Sequence, residues 1–297
     1  MATPFTPDRL VAILRAEGVR VVEHGSWRTH NRNHKGSFGP IRGVMIHHTV
    51  SSGTDSSVRL CYDGYAALPG PLCHGVIAKD GTVHLISAGR ANHAGGGDPR
   101  VLSAVIAERP LPATNKHEGS PGAVDGNSAF YGFECVNLGD GSDPWPSAQL
   151  DAIERVSAAI CRAYGWSAAS TIGHKEWSDW KSDPRGFSMT DMRARIARRL
   201  GAKPDKPTPT PTPAPRYEPF PGVAWFKKSP RSAIVTAMGR RLVAVGCGAY
   251  REGPGPQWTE TDRQSYARWQ RRLGYSGADA DGWPGAASWA ALKVPKV

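Results

Sequence analysis

Gly43-Val44-Met45-Ile46-His47-His48-Thr49 is the segment on which the fold turns. Val44, Met45 and Ile46 form a short unbroken apolar run, the pattern of a strand buried on both faces in a parallel sheet. Two histidines close it. Neighbouring strand residues point to opposite faces, so His47 and His48 cannot readily serve one ion together. At most one is a ligand, and the other is packed or hydrogen-bonded beneath it.

More strands surround this one. Gly75–Ala78 is apolar, Lys79-Asp80-Gly81 is a turn, and Thr82–Ile86 returns, which is a hairpin signal. Tyr131–Val136 reads as a further strand. Helices alternate with these. Thr6-Pro7-Asp8 supplies an N-cap, a first-turn proline and a first-turn acid, and Leu10, Val11, Ile13 and Leu14 give a helical stripe ending near Gly18. Ser147–Tyr164 carries a stripe of Ala148, Ile153, Val156, Ala159 and Ile160, and Ser188–Leu200 is another helix. The fold class is therefore α/β, with a mixed central sheet flanked by helices.

The chain has 297 residues and is 39% hydrophobic, enough for a packed core and against wholesale disorder. The alternating Pro/Thr segment 202–216 cannot form a helix or a sheet interior, and it divides residues 1–201 from a smaller unit, 217–297. Five scattered cysteines without a CxxC pair argue against a disulfide scaffold or a cysteine-rich zinc module. A reduced chain is the default, although the spacing of Cys61 and Cys73 permits a bridge. No apolar run reaches the roughly 20 residues of a membrane span, and no secretory leader is evident, so a cytoplasmic origin is expected. Net charge is +11, and residues 217–297 hold 12 basic against 6 acidic groups. That excess suits an anionic partner such as a wall polymer. No nucleic-acid-binding signature accompanies it.

The chemistry concentrates in Gly173-His174-Lys175-Glu176-Trp177 and Lys181-Ser182-Asp183-Pro184. His174 and Asp183 stand nine positions apart around a tryptophan-containing loop. Joined by a histidine from a distant strand, they would supply two imidazoles and a carboxylate, a set suited to catalytic Zn2+ with an open fourth position. A satisfied core histidine beside an N-cap aspartate would leave the same letters. Glu134 lies between Phe133 and Cys135 in an apolar run, where an unpaired carboxylate is costly.

Six pieces, VMIHHT (44–49), CHGVIAKDGTVH (73–84), ANHAG (91–95), NSAFYGFE (127–134), GHKEW (173–177) and KSDPRGF (181–187), together resemble the type 2 N-acetylmuramoyl-L-alanine amidase family. That family includes peptidoglycan recognition proteins and phage lysins. The resemblance implies a zinc amidase with His47, His174 and Asp183 as metal ligands, Glu134 as the proton-handling carboxylate and Lys181 as the cation facing the developing oxyanion. In some members a tyrosine stands where this chain has Cys73, so no role of that tyrosine carries over. His93 and Asn127 are expected at the rim of the substrate groove, and His74 faces either groove or core. A non-catalytic recognition protein on the same fold is the alternative, opposed by competent residues at all three ligand positions and at Glu134.

The C-terminal unit reads as a small three-helix bundle, with helices over Ser232–Val245, from a capping box at Thr259–Asp262 to Leu273, and over Pro284–Leu292. Trp269-Gln270 ahead of Asp281-Gly282-Trp283-Pro284-Gly285 resembles the peptidoglycan-binding domain. Trp269 and Trp289 have the spacing of core residues, whereas Trp258 and Trp283 sit by Gly and Pro as expected sugar-stacking platforms. The expected whole is a monomeric phage-type lysin acting on bacterial peptidoglycan, stored in the cytoplasm and released to the wall at lysis.

Overall fold

The structure is a computed structural model and describes residues 2–202 and 217–297. Apart from Ala202, the Pro/Thr segment lies outside the described residues. The chain divides into two compact units, Met1–Pro209 and Thr210–Val297.

In the first unit the elements run α1 (Pro7–Ala16), β1 (Val21–Glu23), β2 (Gly43–His48), α2 (Thr54–Asp63), β3 (Gly64–Tyr65), β4 (Leu68–Pro69), β5 (Gly75–Ile77), β6 (Val83–Leu85), β7 (Gly96–Gly97), α3 (Pro99–Ile106), β8 (Val124–Asp125), β9 (Phe130–Cys135), α4 (Ser147–Tyr164), β10 (Thr171–Gly173), α5 (His174–Trp177) and α6 (Met189–Gly201). Six strands make the central sheet in the order β1-β6-β5-β9-β2-β10, and β3-β4 and β7-β8 are small separate ribbons. Within the six-stranded sheet the β5–β6 hairpin is antiparallel and the other pairings are parallel, so the sheet is mixed as expected.

Every residue of β2 is buried. Val44 and Ile46 join Tyr131, Phe133 and Cys135 in a core closed by α1, α4 and α6. Met45 faces the other way and packs with Phe130, Ile172 and Trp177 against Val101 and Val105 of α3. Burying each side chain of that apolar run contributes about 1.5–3 kcal/mol, which holds β2 in register between β9 and β10. The expected cap of α1 forms, with Thr6 Oγ1 accepting from the Arg9 amide at 3.3 Å. Helix α4 has the expected limits and ends on Gly165, whose φ of 74° is the left-handed conformation that closes helices at glycine.

The second unit contains α7 (Val223–Lys227), α8 (Ala233–Ala244), α9 (Glu260–Arg272) and α10 (Ala286–Leu292). The three expected helices form, and α7 is additional. Trp269 and Trp289 are core residues, as their spacing indicates. Trp258 corrects the expectation of an exposed platform: it is 4% exposed and packs on Phe226 with ring centroids 4.8 Å apart. Its amide bonds to Pro230 O at 2.9 Å, drawing the ring inward despite its Gly/Pro neighbours. Trp283 is half-buried and stacks on Trp258 at 5.8 Å. All five cysteines are buried free thiols. Among the described residues, no helix is long and apolar enough to cross a membrane.

Candidate metal centre and active site

Three neighbouring parallel strands, β9, β2 and β10, end on the same side of the sheet, the edge where α/β proteins gather ligands. Register does the assembling. His47 lies opposite Glu134 and Ile46 opposite Gly173, so His174, the next residue after Gly173, comes level with His47. Asp183 arrives from the loop after α5. Its carbonyl accepts from the Lys175 amide at 2.7 Å, and Lys175 Nζ bonds to Pro184 O at 2.7 Å. Gly173 permits this close return, because a Cβ there would sit 2.9 Å from Pro184 Cδ. Glu176 locks α5 in place by accepting from the Gly173 amide at 2.9 Å and pairing with Arg193 through two contacts of 2.8 Å.

The three side chains converge as anticipated. His47 Nδ1 lies 3.0 Å from His174 Nδ1 and 3.1 Å from Asp183 Oδ2, and His174 Nδ1 lies 3.2 Å from Asp183 Oδ2. His48 points to the opposite face, where its Nδ1 accepts from the Arg185 amide at 3.2 Å.

The outer hydrogen bonds decide the tautomers. A carbonyl oxygen can only accept, so His174 Nε2 carries its proton toward Ala94 O at 3.1 Å. By the same logic, His93 Nε2 donates to Phe130 O at 3.1 Å. Burial keeps His93 neutral, so its Nδ1 is left as the acceptor for His47 Nε2–H at 3.1 Å. With Nε2–H of each ring directed outward, the two Nδ1 atoms and Asp183 Oδ2 face one another as potential electron-pair donors, a set that a cation would satisfy. Ligands of tetrahedral zinc at bond lengths of 2.0–2.2 Å stand about 3.3 Å apart, close to the observed separations. The cluster can hold a metal ion.

His93 and Asn127 both line the pocket above the cluster, but their polar atoms are largely engaged. Asn127 Oδ1 accepts from the amides of His93 and Ala94, each at 2.8 Å, and so fixes the loop that orients both His47 and His174. Gly132 makes the room, since a Cβ there would fall 2.3 Å from His93 Nδ1. Both residues thus line the pocket and also support the cluster. Of the two alternatives for His74, the structure shows the core-facing one: it is fully buried, accepts from the Gly132 amide at 2.9 Å and stacks on Phe38, away from the pocket lining.

Glu134 shares the His47 face of the sheet. Its Oε2 is sealed from solvent and has no hydrogen-bond partner. Burial pushes this carboxyl well above its usual range, with Cys61 and Asp183 adding and Lys181 opposing. Lys181 stands exposed in the wall of the pocket of about 420 Å³ that also contains His174, Trp180 and Glu118.

The buried imidazoles make stability depend on acid. Burial lowers His47 to about 4, with His174 adding, lowers His74 to about 3, and lowers His93 well below its ordinary value. Unfolded histidine takes its proton near 6.5, so between pH 6.5 and about 4 these three rings bind up to three more protons in the unfolded chain, opposed above about 4.5 by the Glu134 carboxyl, which keeps one proton only when folded. Stability of chelator-treated protein should therefore fall with pH across that window, by up to about 3 kcal/mol per pH unit above pH 4.5. Denaturant midpoints from pH 7.5 to 4.5 would check this, and a flat profile would contradict burial of the neutral rings.

A family model described as N-acetylmuramoyl-L-alanine amidase matches residues 37–186. No curated protein matches the chain. Among solved structures, the chain is similar to the endolysin N-acetylmuramoyl-L-alanine amidase LysCS from Clostridium intestinale, at 17% identity over 60% of this chain and 95% of that one, with a TM-score of 0.39. It is also similar to the N-acetylmuramyl-L-alanine amidase AmiD from E. coli, at 18% identity over 88% and 90% of the two chains and a TM-score of 0.38. A further likeness is to the Drosophila peptidoglycan recognition protein SA, at 15% identity over 53% and 81%, with a TM-score of 0.30. The family match spans half the chain and encloses His47, Glu134, His174, Lys181 and Asp183; the chain belongs to the N-acetylmuramoyl-L-alanine amidase family and is an amidase of peptidoglycan.

Proposed function

We propose that this amidase is zinc-dependent and acts as a phage-type lysin, cutting the amide between the lactyl group of N-acetylmuramic acid and L-alanine. The observation that carries the zinc reading is the meeting of His47 Nδ1, His174 Nδ1 and Asp183 Oδ2 at 3.0–3.2 Å, with both imidazole protons directed outward. These three atoms would hold the ion. When bound, zinc supplies an activated water near neutral pH and Lewis acidity toward the scissile carbonyl.

The remaining work belongs to the chain. Glu134 Oε2, unpaired and beside His47, takes a proton from the attacking water and returns it to the leaving alanine nitrogen. Lys181 Nζ approaches the carbonyl oxygen as negative charge develops there, a contribution that donors of this type make at about 3–4 kcal/mol. His93 and Asn127 keep the His47 and His174 lone pairs aimed inward. In this reading the C-terminal unit, with its basic excess, binds the wall and its anionic polymers. The tether then raises the local substrate concentration for a monomeric enzyme released from the producing cell's cytoplasm at lysis.

Incubating the purified chain with peptidoglycan tests this reading. New free alanine amino groups should appear without new reducing sugar ends, disappear with a chelator and return with zinc. Reducing ends would indicate a glycosidase, and product formation unaffected by chelator would refute the metal.

A further inference from the structure

Trp180 is 68% exposed although it lines the same pocket as His174 and Lys181. One face of its indole lies on His117, with centroids 3.6 Å apart and planes 14° from parallel. His117 is itself held, its Nδ1 bonding to Asp179 Oδ1 at 2.7 Å and its amide to Ser120 Oγ at 3.1 Å. The Asp179 amide donates to Lys116 O at 3.0 Å, and Thr114 Oγ1 donates to Trp177 O at 3.1 Å. Segments 114–120 and 177–181 are thereby laced together, and the indole plane is fixed before any ligand arrives. With one face covered by His117, the exposure belongs to the opposite face and the edges. Among the described residues no other ring packs on it.

We propose that Trp180, backed by His117, is the platform on which the N-acetylated amino-sugar ring of the substrate stacks beside the scissile amide. The inference rests on the amidase reading of the neighbouring cluster. A β-linked pyranose chair with equatorial substituents presents C–H bonds on its faces, and such a face suits a flat, uncharged indole. The stem peptide is a poorer match, since its carboxylates and amines call for ion pairs or backbone hydrogen bonds. A rigid plate also binds at low entropic cost, because nothing in it must be ordered on contact. Trp180 is thus a substrate-positioning residue three positions before Asp183, which ties where the glycan lies to where the amide is presented.

The test uses the full chain with Trp180→Ala and Trp180→Phe, kinetics on a soluble disaccharide–peptide fragment, and binding measured in the Glu134→Gln background. Trp180→Ala should raise KM roughly ten- to hundredfold, with kcat changed by less than about threefold, and Trp180→Phe should recover most of the loss. Zinc content and melting midpoint should not move. In the Glu134→Gln background, quenching of indole fluorescence by the peptide-free disaccharide should depend on Trp180, whereas the free stem peptide should bind equally with and without it. Unchanged KM, a loss confined to kcat, or Trp180-dependent binding of the stem peptide would each overturn the proposal. Should wild-type protein release no alanine amino groups, the amidase reading fails separately, because the disaccharide experiment reads the platform without turnover.

Discussion

Glu134→Gln should lower turnover of peptidoglycan by about two to four orders of magnitude while zinc remains bound at full occupancy. The amide has the shape of the carboxyl group, so packing at the carboxyl end of β9 is preserved, but it cannot accept a proton from water. Metal content should hold because Glu134 stands outside the group of three converging atoms. The same substitution carries a second signature of opposite sign. Burial raises the folded Glu134 carboxyl, so the folded chain keeps a proton that the unfolded chain releases near 4.5, and stability is lost as pH rises above that value. Glutamine has no proton to lose. Chelator-treated Glu134→Gln should therefore gain on wild type as pH rises above about 4.5, by up to about 1.4 kcal/mol per pH unit, and match it below pH 4. Activity lost with stability gained is the mark of a group kept in an unfavourable place for its chemistry. Retained turnover, or loss of zinc in this variant, would show that Glu134 has another role.

Much of this arrangement was legible in the chain. The apolar run Val44–Ile46, the Asp80-Gly81 hairpin and the stripe of Ser147–Tyr164 each combine a period with punctuation, and β2, the β5–β6 pair and α4 follow them. Elements without a full period escaped: β1 and β10 have three residues each, and α7 has five. Helix α3 also lies outside the sequence reading, although Asp98-Pro99 is a start signal of the same kind as Thr6-Pro7. At the site, His47 could be distinguished from His48 only as one of two, because alternation says that faces differ and not which face is which. His93 and Asn127 read as rim residues because polar letters in a Gly/Ala-rich stretch suggest solvent. Nothing local reveals that this loop folds back over the strand ends and accepts hydrogen bonds from the ligand imidazoles. Gly132 held the missing signal, since a glycine inside a buried strand marks a close approach, here of the His93 ring. No local pattern marks Trp180.

Metal affinity should grade with distance from the converging atoms. His47→Ala, His174→Ala and Asp183→Ala each remove an electron-pair donor and should cost zinc affinity by more than about a thousandfold, since two remaining donors no longer make a site of the catalytic type. His93→Ala removes no donor but frees His47 to turn and to place its proton on Nδ1, so affinity should fall by about ten- to a hundredfold, the usual effect of losing the partner behind a ligand imidazole. Gly132→Ala should reproduce the His93 effect by pushing the ring off the strand. Chelator competition followed spectroscopically orders the series. If the His93 and His47 variants prove equal, His93 would be a ligand and not a support.

The most direct measurement is elemental analysis of zinc in the purified full chain after exhaustive dialysis, beside the three ligand variants. One zinc per wild-type chain and less than about a tenth of that in each variant is expected. A wild-type chain that takes up no zinc, or ligand variants that keep it at full stoichiometry, would show that His47, His174 and Asp183 do not close around a single ion.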